Sequence, residues 1–260
     1  MESQWLDLPD RPPKPRQQGL TMVIDPGLPH AYFADAIASA ADCIDIVKFG
    51  WGTCLVTDHL ERKIAVLREN NVKFCFGGSL FEKAVLQDRF DAFLAFCRSW
   101  ECDLIEVSNG TILMSNTAKA AYIRKCAEER PVASEVGFKD ADRSENLRSS
   151  QWIDCILEDL EAGASLVITE ARESGKSGIC HRDGRLRHGL IADILAGGID
   201  ADRLLFEAPN KELQTHFVTL LGPNVNLGNI PASDVLALET LRLGLRGDTL
   251  MHFEAASVCA

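Results

Sequence analysis

The stretch QWIDCILEDLEAGASLVITEARESGKSG, residues 151–178, holds one complete structural unit and decides the class of the fold. Ile153, Ile156, Leu157 and Leu160 recur at three- and four-residue spacing, which predicts the apolar face of a helix. Gly163 stands where a left-handed C-cap would end that helix. LVIT is then a short continuous apolar run, the pattern of a strand buried on both faces, and it closes on Glu170. A carboxylate at the point where a buried strand surfaces must be paired or used.

The same unit repeats along the chain. Apolar runs begin near Thr21, Cys43, Lys73, Asp103, Val132, Ser165, Arg203 and Asn224, at intervals that fit one strand plus one helix each. TMVI closes on Asp25, IDIV on Lys48, DLI on Glu106, VAS on Glu135 and LLF on Glu207. KFCF ends in Gly77 and Gly78 and reaches its carboxylate at Glu82, while the last run closes on Asn226 and Asn229. Eight such units in 260 residues match the usual size of a (β/α)8 TIM barrel, an α/β fold whose strand ends would share one polar floor.

Between the runs, Asp58 and Glu61 predict a capping box ahead of a Leu60, Ile64 and Leu67 stripe. Leu86, Phe90, Phe93, Leu94 and Cys97 repeat that spacing, and a last helix is expected from Ser233 or Asp234 through Leu236, Glu239 and Leu243. Without a heptad array, a low-complexity tract or an inner linker, residues 19–260 read as one barrel domain. Residues 1–18, with Pro9, Pro12, Pro13 and Pro15 among charges, read as an extended arm that could dock on a neighbouring subunit, so a homo-oligomer is expected.

Composition sets the surroundings. With 46% hydrophobic and 25% charged residues the chain can bury a large core, and no apolar stretch approaches the roughly 20 residues of a membrane span, so a soluble protein without a membrane partner is expected. The nine cysteines (Cys43, Cys54, Cys75, Cys97, Cys102, Cys126, Cys155, Cys180 and Cys259) form no CxxC pair and sit mostly within apolar runs. Together with an N-terminus that lacks a signal-peptide core, they point to reduced core thiols in the cytoplasm. A net charge of −11 argues against nucleic acid but not against a small anion, which responds to local charge.

Three constellations carry chemistry. Glu135, Glu170 and Glu207 close successive strands, with Glu106 on the strand before, and carboxylates on neighbouring strands can converge on a hard cation such as Mg²⁺. After Glu170, Arg172 offers a planar fork to a phosphate or carboxylate, Gly175 and Gly178 let backbone amides turn toward an anion, and Ser174, Gly175 and Lys176 are the substrate-binding candidates of that loop. This is not a Walker A loop, because Glu170 stands where that pattern requires glycine. In VKFGWGT, residues 47–53, Lys48 at the end of a buried strand calls for an anion, and Gly50 and Gly52 flank Trp51. For Lys48, Lys139, Arg172 and Lys176 the alternative is neutralisation of the neighbouring carboxylates. Asn226 and Asn229 could contact substrate or cap a barrel strand.

KPRQQGLTMVID, DIVKFGWGT, FGGSLFE, IEVSNGT, SEVGFKD, EDLEAGASLVITEARESG, FEAPNK, VNLGNI and LETLRLGLRGDT together resemble the phosphosulfolactate synthase family over residues 14–249. That resemblance implies a (β/α)8 barrel that adds sulfite to phosphoenolpyruvate with Mg²⁺, giving (2R)-phospho-3-sulfolactate. This is the first step of one route to coenzyme M and of bacterial sulfolactate formation. It implies a carbon–sulfur lyase with Lys139 as proton donor, Lys48 beside the substrate carboxylate or sulfite, phosphate on Arg172 and the backbone after it, and Mg²⁺ on some of Glu106, Glu135, Glu170 and Glu207. The chain resembles the bacterial branch more than the archaeal one: Phe138 precedes the single Lys139 where archaeal members carry two lysines, Pro26 replaces a lysine, and Asn109 replaces an aspartate. Two other readings stand beside this one, a barrel enzyme that adds a thiol to phosphoenolpyruvate and a non-catalytic homologue akin to plant heat-stress-associated proteins.

Overall fold

The structure, a computed structural model, describes residues 5–254. Eight parallel strands follow one another as β1 (Thr21–Asp25), β2 (Ile46–Phe49), β3 (Lys73–Phe76), β4 (Ile105–Val107), β5 (Val132–Val136), β6 (Leu166–Thr169), β7 (Leu204–Glu207) and β8 (Leu227–Pro231). They form a single sheet in the order β3-β2-β1-β8-β7-β6-β5-β4. The seam between β3 and β4 is drawn together by the Asp103 amide donating to the Phe74 carbonyl (3.0 Å) and by the Phe74 amide donating to Asp103 Oδ2 (3.0 Å). The sheet is therefore nearly closed, and the protein is a (β/α)8 TIM barrel.

Helices α1 (His30–Ala40), α2 (Leu60–Glu69), α3 (Gly78–Leu86), α4 (Phe90–Ser99), α5 (Asn116–Ala127), α6 (Ala141–Glu145), α7 (Ser149–Glu161), α8 (His188–Ala196), α9 (Lys211–Leu221) and α10 (Val235–Arg242) make up the outer layer. Gly163 has φ +108° directly after α7, as the sequence predicts. Four local expectations give way. Helix α2 begins after His59 with no side-chain cap, so the Asp58 and Glu61 box does not form. Gln87, Asp88 and Arg89 separate α3 from α4, and Leu86 ends α3 exposed, outside the stripe of Phe90, Phe93, Leu94 and Cys97. In α7 the buried face is Trp152, Ile156 and Asp159, and Leu157 faces solvent. In α10, Val235, Leu238 and Leu241 are buried, while Leu236 is exposed.

The barrel interior follows the two-residue period of the strands. Ile46, Cys75, Leu104, Ala133, Ile168 and Leu205 form an apolar plug. Two residues farther along the same strands lie Lys48, Gly77, Glu106, Glu135, Glu170 and Glu207, all lining one pocket. Asp25 breaks this phase. It stands one residue beyond the inward-facing Ile24 and pairs with Lys63 of α2 at 2.6 Å, so it belongs to the helical side rather than to the shared floor.

Residues 5–20 form no helix or strand and lie against the strand-start end of their own barrel. Arg11 pairs with Glu239 (2.8 Å), Arg16 with Asp45 (2.9 Å), and Lys14 Nζ donates to the Ala41 carbonyl (2.9 Å). The first four residues of the expected arm, and Cys259, lie outside the described residues. Among those described, Cys54, Cys75, Cys97, Cys102, Cys126 and Cys180 are free and buried. No described helix is long and apolar enough to cross a membrane.

Candidate active site

The pocket at the strand-finish end is lined by carboxylates and cations from five strands or the loops after them. Lys48 at the end of β2 lies 3.3 Å from Glu207 Oε1 and 3.5 Å from Glu106 Oε2. Lys139, four residues beyond Glu135, lies 3.0 Å from Glu135 Oε1 and 3.4 Å from Glu170 Oε2. The four glutamates are nearly fully buried. Two lysines thus face four carboxylates, a combination stable only while charge is shared or supplied from outside.

The protonation preferences follow from this crowding. Burial by itself pushes the Lys48 and Lys139 ammonium groups down, but Glu106 and Glu207 around Lys48, and Glu135 and Glu170 around Lys139, outweigh it and hold both well above the ordinary lysine range. Burial pushes the Glu135 carboxyl up, yet Lys139, Lys48 and the Ser108 hydroxyl overcome that and bring it to about 2. Glu170 goes the other way: burial, then Glu135 and Glu207, raise it well above the usual carboxylate range. Burial also raises Glu106, against the pull of Lys48.

The surrounding loops fix these groups. The Gly78 amide donates to Glu106 Oε1 (2.6 Å), and a Cβ on Gly78 would stand 2.6 Å from Ser108 Cβ, so glycine is needed for the approach. Ser108 Oγ lies 2.7 Å from Glu135 Oε1 and 2.8 Å from Glu82 Oε1, which brings the displaced carboxylate of the third unit up against the site. The Ala171 amide donates to Glu207 Oε2 (2.9 Å). Lys139 is held along its main chain as well: its amide donates to the Gly110 carbonyl (3.0 Å), and Ser177 Oγ donates to the Phe138 carbonyl (2.7 Å). Ser177 and Gly178 are buried, and a Cβ at Gly178 would overlap the Glu170 carbonyl, so the end of the Gly-Lys-Ser-Gly segment packs directly against the strand end that carries Glu170.

Three site residues have left-handed backbones that glycine would adopt more readily: Trp51 (φ +53°), Arg172 (φ +60°) and Asn229 (φ +53°). Such strain persists only where the surroundings over-determine it, and here it sits at the mouth and wall of one pocket. Arg172 lines the pocket with its side chain part-exposed, Nη1 donating to the Lys139 carbonyl at 3.4 Å. Gly175 is buried behind it, whereas Ser174 and Lys176 face solvent and do not line the pocket. Asn229 lies within β8 and lines the pocket.

Asn226 lies elsewhere. It precedes β8 at the opposite end of the barrel, where its Oδ1 accepts from the Leu20 amide (2.9 Å) and its Nδ2 donates to the Asp202 and Leu204 carbonyls. The expected role as a substrate contact is therefore corrected: three residues along an extended strand span about 10 Å, and only Asn229 reaches the far rim.

Glu106 Oε2, Glu170 Oε2 and Asn229 Oδ1 are buried without a hydrogen-bond partner. Glu207, in contrast, commits both oxygens to Lys48 and the Ala171 amide, and Glu135 Oε1 takes Ser108 and Lys139. No three acidic, histidine or cysteine side chains among the described residues come close enough to enclose a cation by themselves. The donor set suits a hard cation held by one or two carboxylates that keeps water or substrate oxygens in its other positions, as Mg²⁺ does.

Similarity to known proteins extends over nearly the whole chain. The profile of the (2R)-phospho-3-sulfolactate synthase family matches residues 9–248. The chain is 54% identical over 244 residues to the phosphosulfolactate synthase of Bacillus subtilis, covering 94% of this chain and 97% of that protein. It is 40% identical over 246 residues to the phosphosulfolactate synthase of Methanothermobacter thermautotrophicus, covering 93% and 95%. Among solved structures, 3-hexulose-6-phosphate synthase from Salmonella typhimurium superposes with a TM-score of 0.55 at 15% identity, over 87% of this chain and all of that one, a likeness of fold alone.

Proposed function

The chain belongs to the (2R)-phospho-3-sulfolactate synthase family, and from that membership we propose that it is a Mg²⁺-dependent carbon–sulfur lyase joining sulfite to the methylene carbon of phosphoenolpyruvate. The observation that carries this reading is Lys139 set between Glu135 and Glu170 on the floor of a pocket that Lys48 and Arg172 also line.

In this reading the sulfur lone pair of sulfite forms a bond to the methylene carbon, and the electrons of the carbon–carbon double bond move toward the substrate carboxylate. Lys48, buried and cationic, is placed to attract the charge that builds there, an effect strengthened by its exclusion from water. A proton must then reach the carbon that bears the phosphate. Lys139 holds a proton at neutral pH, as a general acid must, and delivery from one side of the pocket would set the (2R) configuration. No bond to phosphate is broken, so the phosphate needs only to be held, a role suited to the Arg172 fork at the pocket mouth.

Mg²⁺, when bound, would supply further positive charge for the substrate carboxylate. Glu106 or Glu170 would hold it through the oxygens that accept no hydrogen bond and are met only by the distant lysines, with Asn229 lining the same pocket. Such a cation would also relieve the excess of carboxylates over lysines.

The test is incubation with phosphoenolpyruvate, Mg²⁺ and either sulfite or a panel of small thiols, followed by product identification by mass. A product equal to phosphoenolpyruvate plus bisulfite supports the proposal. Consumption of phosphoenolpyruvate with a thiol alone, or with neither nucleophile, rejects it.

A further inference from the structure

Outside the barrel wall, behind the strand that carries Glu135, Lys119 of α5 and Asp159 of α7 form an ion pair at 2.7 Å with both side chains fully buried. Asp159 also accepts hydrogen bonds from Ser134 Oγ and from Asn116 Nδ2, the latter at 3.2 Å. Lys119 Nζ donates in addition to the main-chain carbonyl of Glu135 at 2.9 Å.

A pair of this kind is poorly explained by stability. Removing two charges from water costs roughly what their attraction returns, and an apolar pair of similar volume often serves as well. Its position is more informative. The β4–β5 ladder ends at Val107↔Ser134, so the Glu135 main chain stands one residue past the last pair on that side. There Lys119 supplies the donor that β4 no longer provides. Glu135 is also the residue whose side chain holds Lys139.

We propose that Lys119, Asp159 and Ser134 are positioning residues that fix the end of β5 from outside the barrel and thereby aim Glu135 at Lys139. Only the kinetic consequence rests on the reaction proposed above; the placement of Glu135 does not.

The double variant Lys119→Met with Asp159→Asn removes the ammonium donor, leaves no lone charge and keeps an amide oxygen for Ser134. Crystal structures of wild type and variant without substrate are expected to show Glu135 Oε1 drawn away from its 3.0 Å contact with Lys139 Nζ. A folded variant that keeps this contact overturns the proposal, whatever the wild-type activity proves to be. In turnover of phosphoenolpyruvate and sulfite, kcat should fall about tenfold to a hundredfold at unchanged KM. An unchanged kcat, or a change in KM alone, also overturns it. If the wild type does not turn over these substrates, the proposed reaction fails while the Glu135 to Lys139 distance still decides the positioning role. Should the double variant not fold, Ser134→Ala removes one bond to Asp159 and is expected to lengthen the same contact and lower kcat several-fold; no change in either overturns the proposal.

Discussion

The two ends of the barrel carry similar residues and treat them differently. At the strand-start end, Arg16 pairs with Asp45, whose Oδ2 also accepts from the Thr21 amide at 2.8 Å, and Asn226 makes three bonds to main-chain groups. Arg203 and Arg242 are spent on carbonyls, although Arg242 Nε itself has no hydrogen-bond partner. At the strand-finish end, Glu106 Oε2, Glu170 Oε2 and Asn229 Oδ1 lack hydrogen-bond partners, and four buried glutamates share two lysines. Buried polarity that is satisfied within the fold has no call for an outside partner, whereas buried polarity left open implies something to be bound.

That contrast can be broken by mutation, most severely at the open end. Lys139→Ala should lower kcat by about a hundredfold to ten-thousandfold with the fold intact by circular dichroism, and near-normal turnover would remove Lys139 as the acid. Glu170→Gln is expected to raise the Mg²⁺ concentration needed for half-maximal rate by about tenfold to a hundredfold, read from a metal titration. At the closed end, Arg16→Ala leaves Asp45 buried and unpaired, so it should cost about 3 to 5 kcal/mol in denaturant unfolding while kcat and KM stay near wild type. A kinetic defect there as large as that of Glu170→Gln would erase the distinction between the ends.

The pH dependence is a finer probe. Glu135 ionises at about 2 in the folded protein against an ordinary 4.5, so its folded state favours the charged form. Its stabilising contribution is complete above about pH 4.5 and disappears as pH falls toward 2. The stability difference between wild type and Glu135→Gln should therefore narrow across that window, and a difference that widened on acidification would contradict the pairing with Lys139.

How far the sequence reveals these features depends on where each residue's partner lies. The strands and their closing acids are legible because a buried parallel strand leaves an uninterrupted apolar run, and an acid ending it has few alternatives. Asp25 misleads because one residue of phase turns it to the helices. Asn226 misleads because it stands before the strand rather than along it. The exposure of Ser174 and Lys176 depends on the path of a long loop, which composition does not fix. The Lys119 and Asp159 pair is invisible in sequence, since its members lie on different helices and read there as ordinary surface charges. The excursion from Gly77 to Glu82 is half legible: the carboxylate is evident, but its approach to Glu135 through Ser108 needs the fold.

The most direct test is the anomalous-scattering map of crystals grown with Mn²⁺ in place of Mg²⁺ and with phosphoenolpyruvate. The expected result is one strong peak about 2.2 Å from Glu106 Oε2, Glu170 Oε2 or both, with the phosphate toward Arg172. A peak at the strand-start end, or a phosphoenolpyruvate-bound site with no cation beside those glutamates, would contradict it.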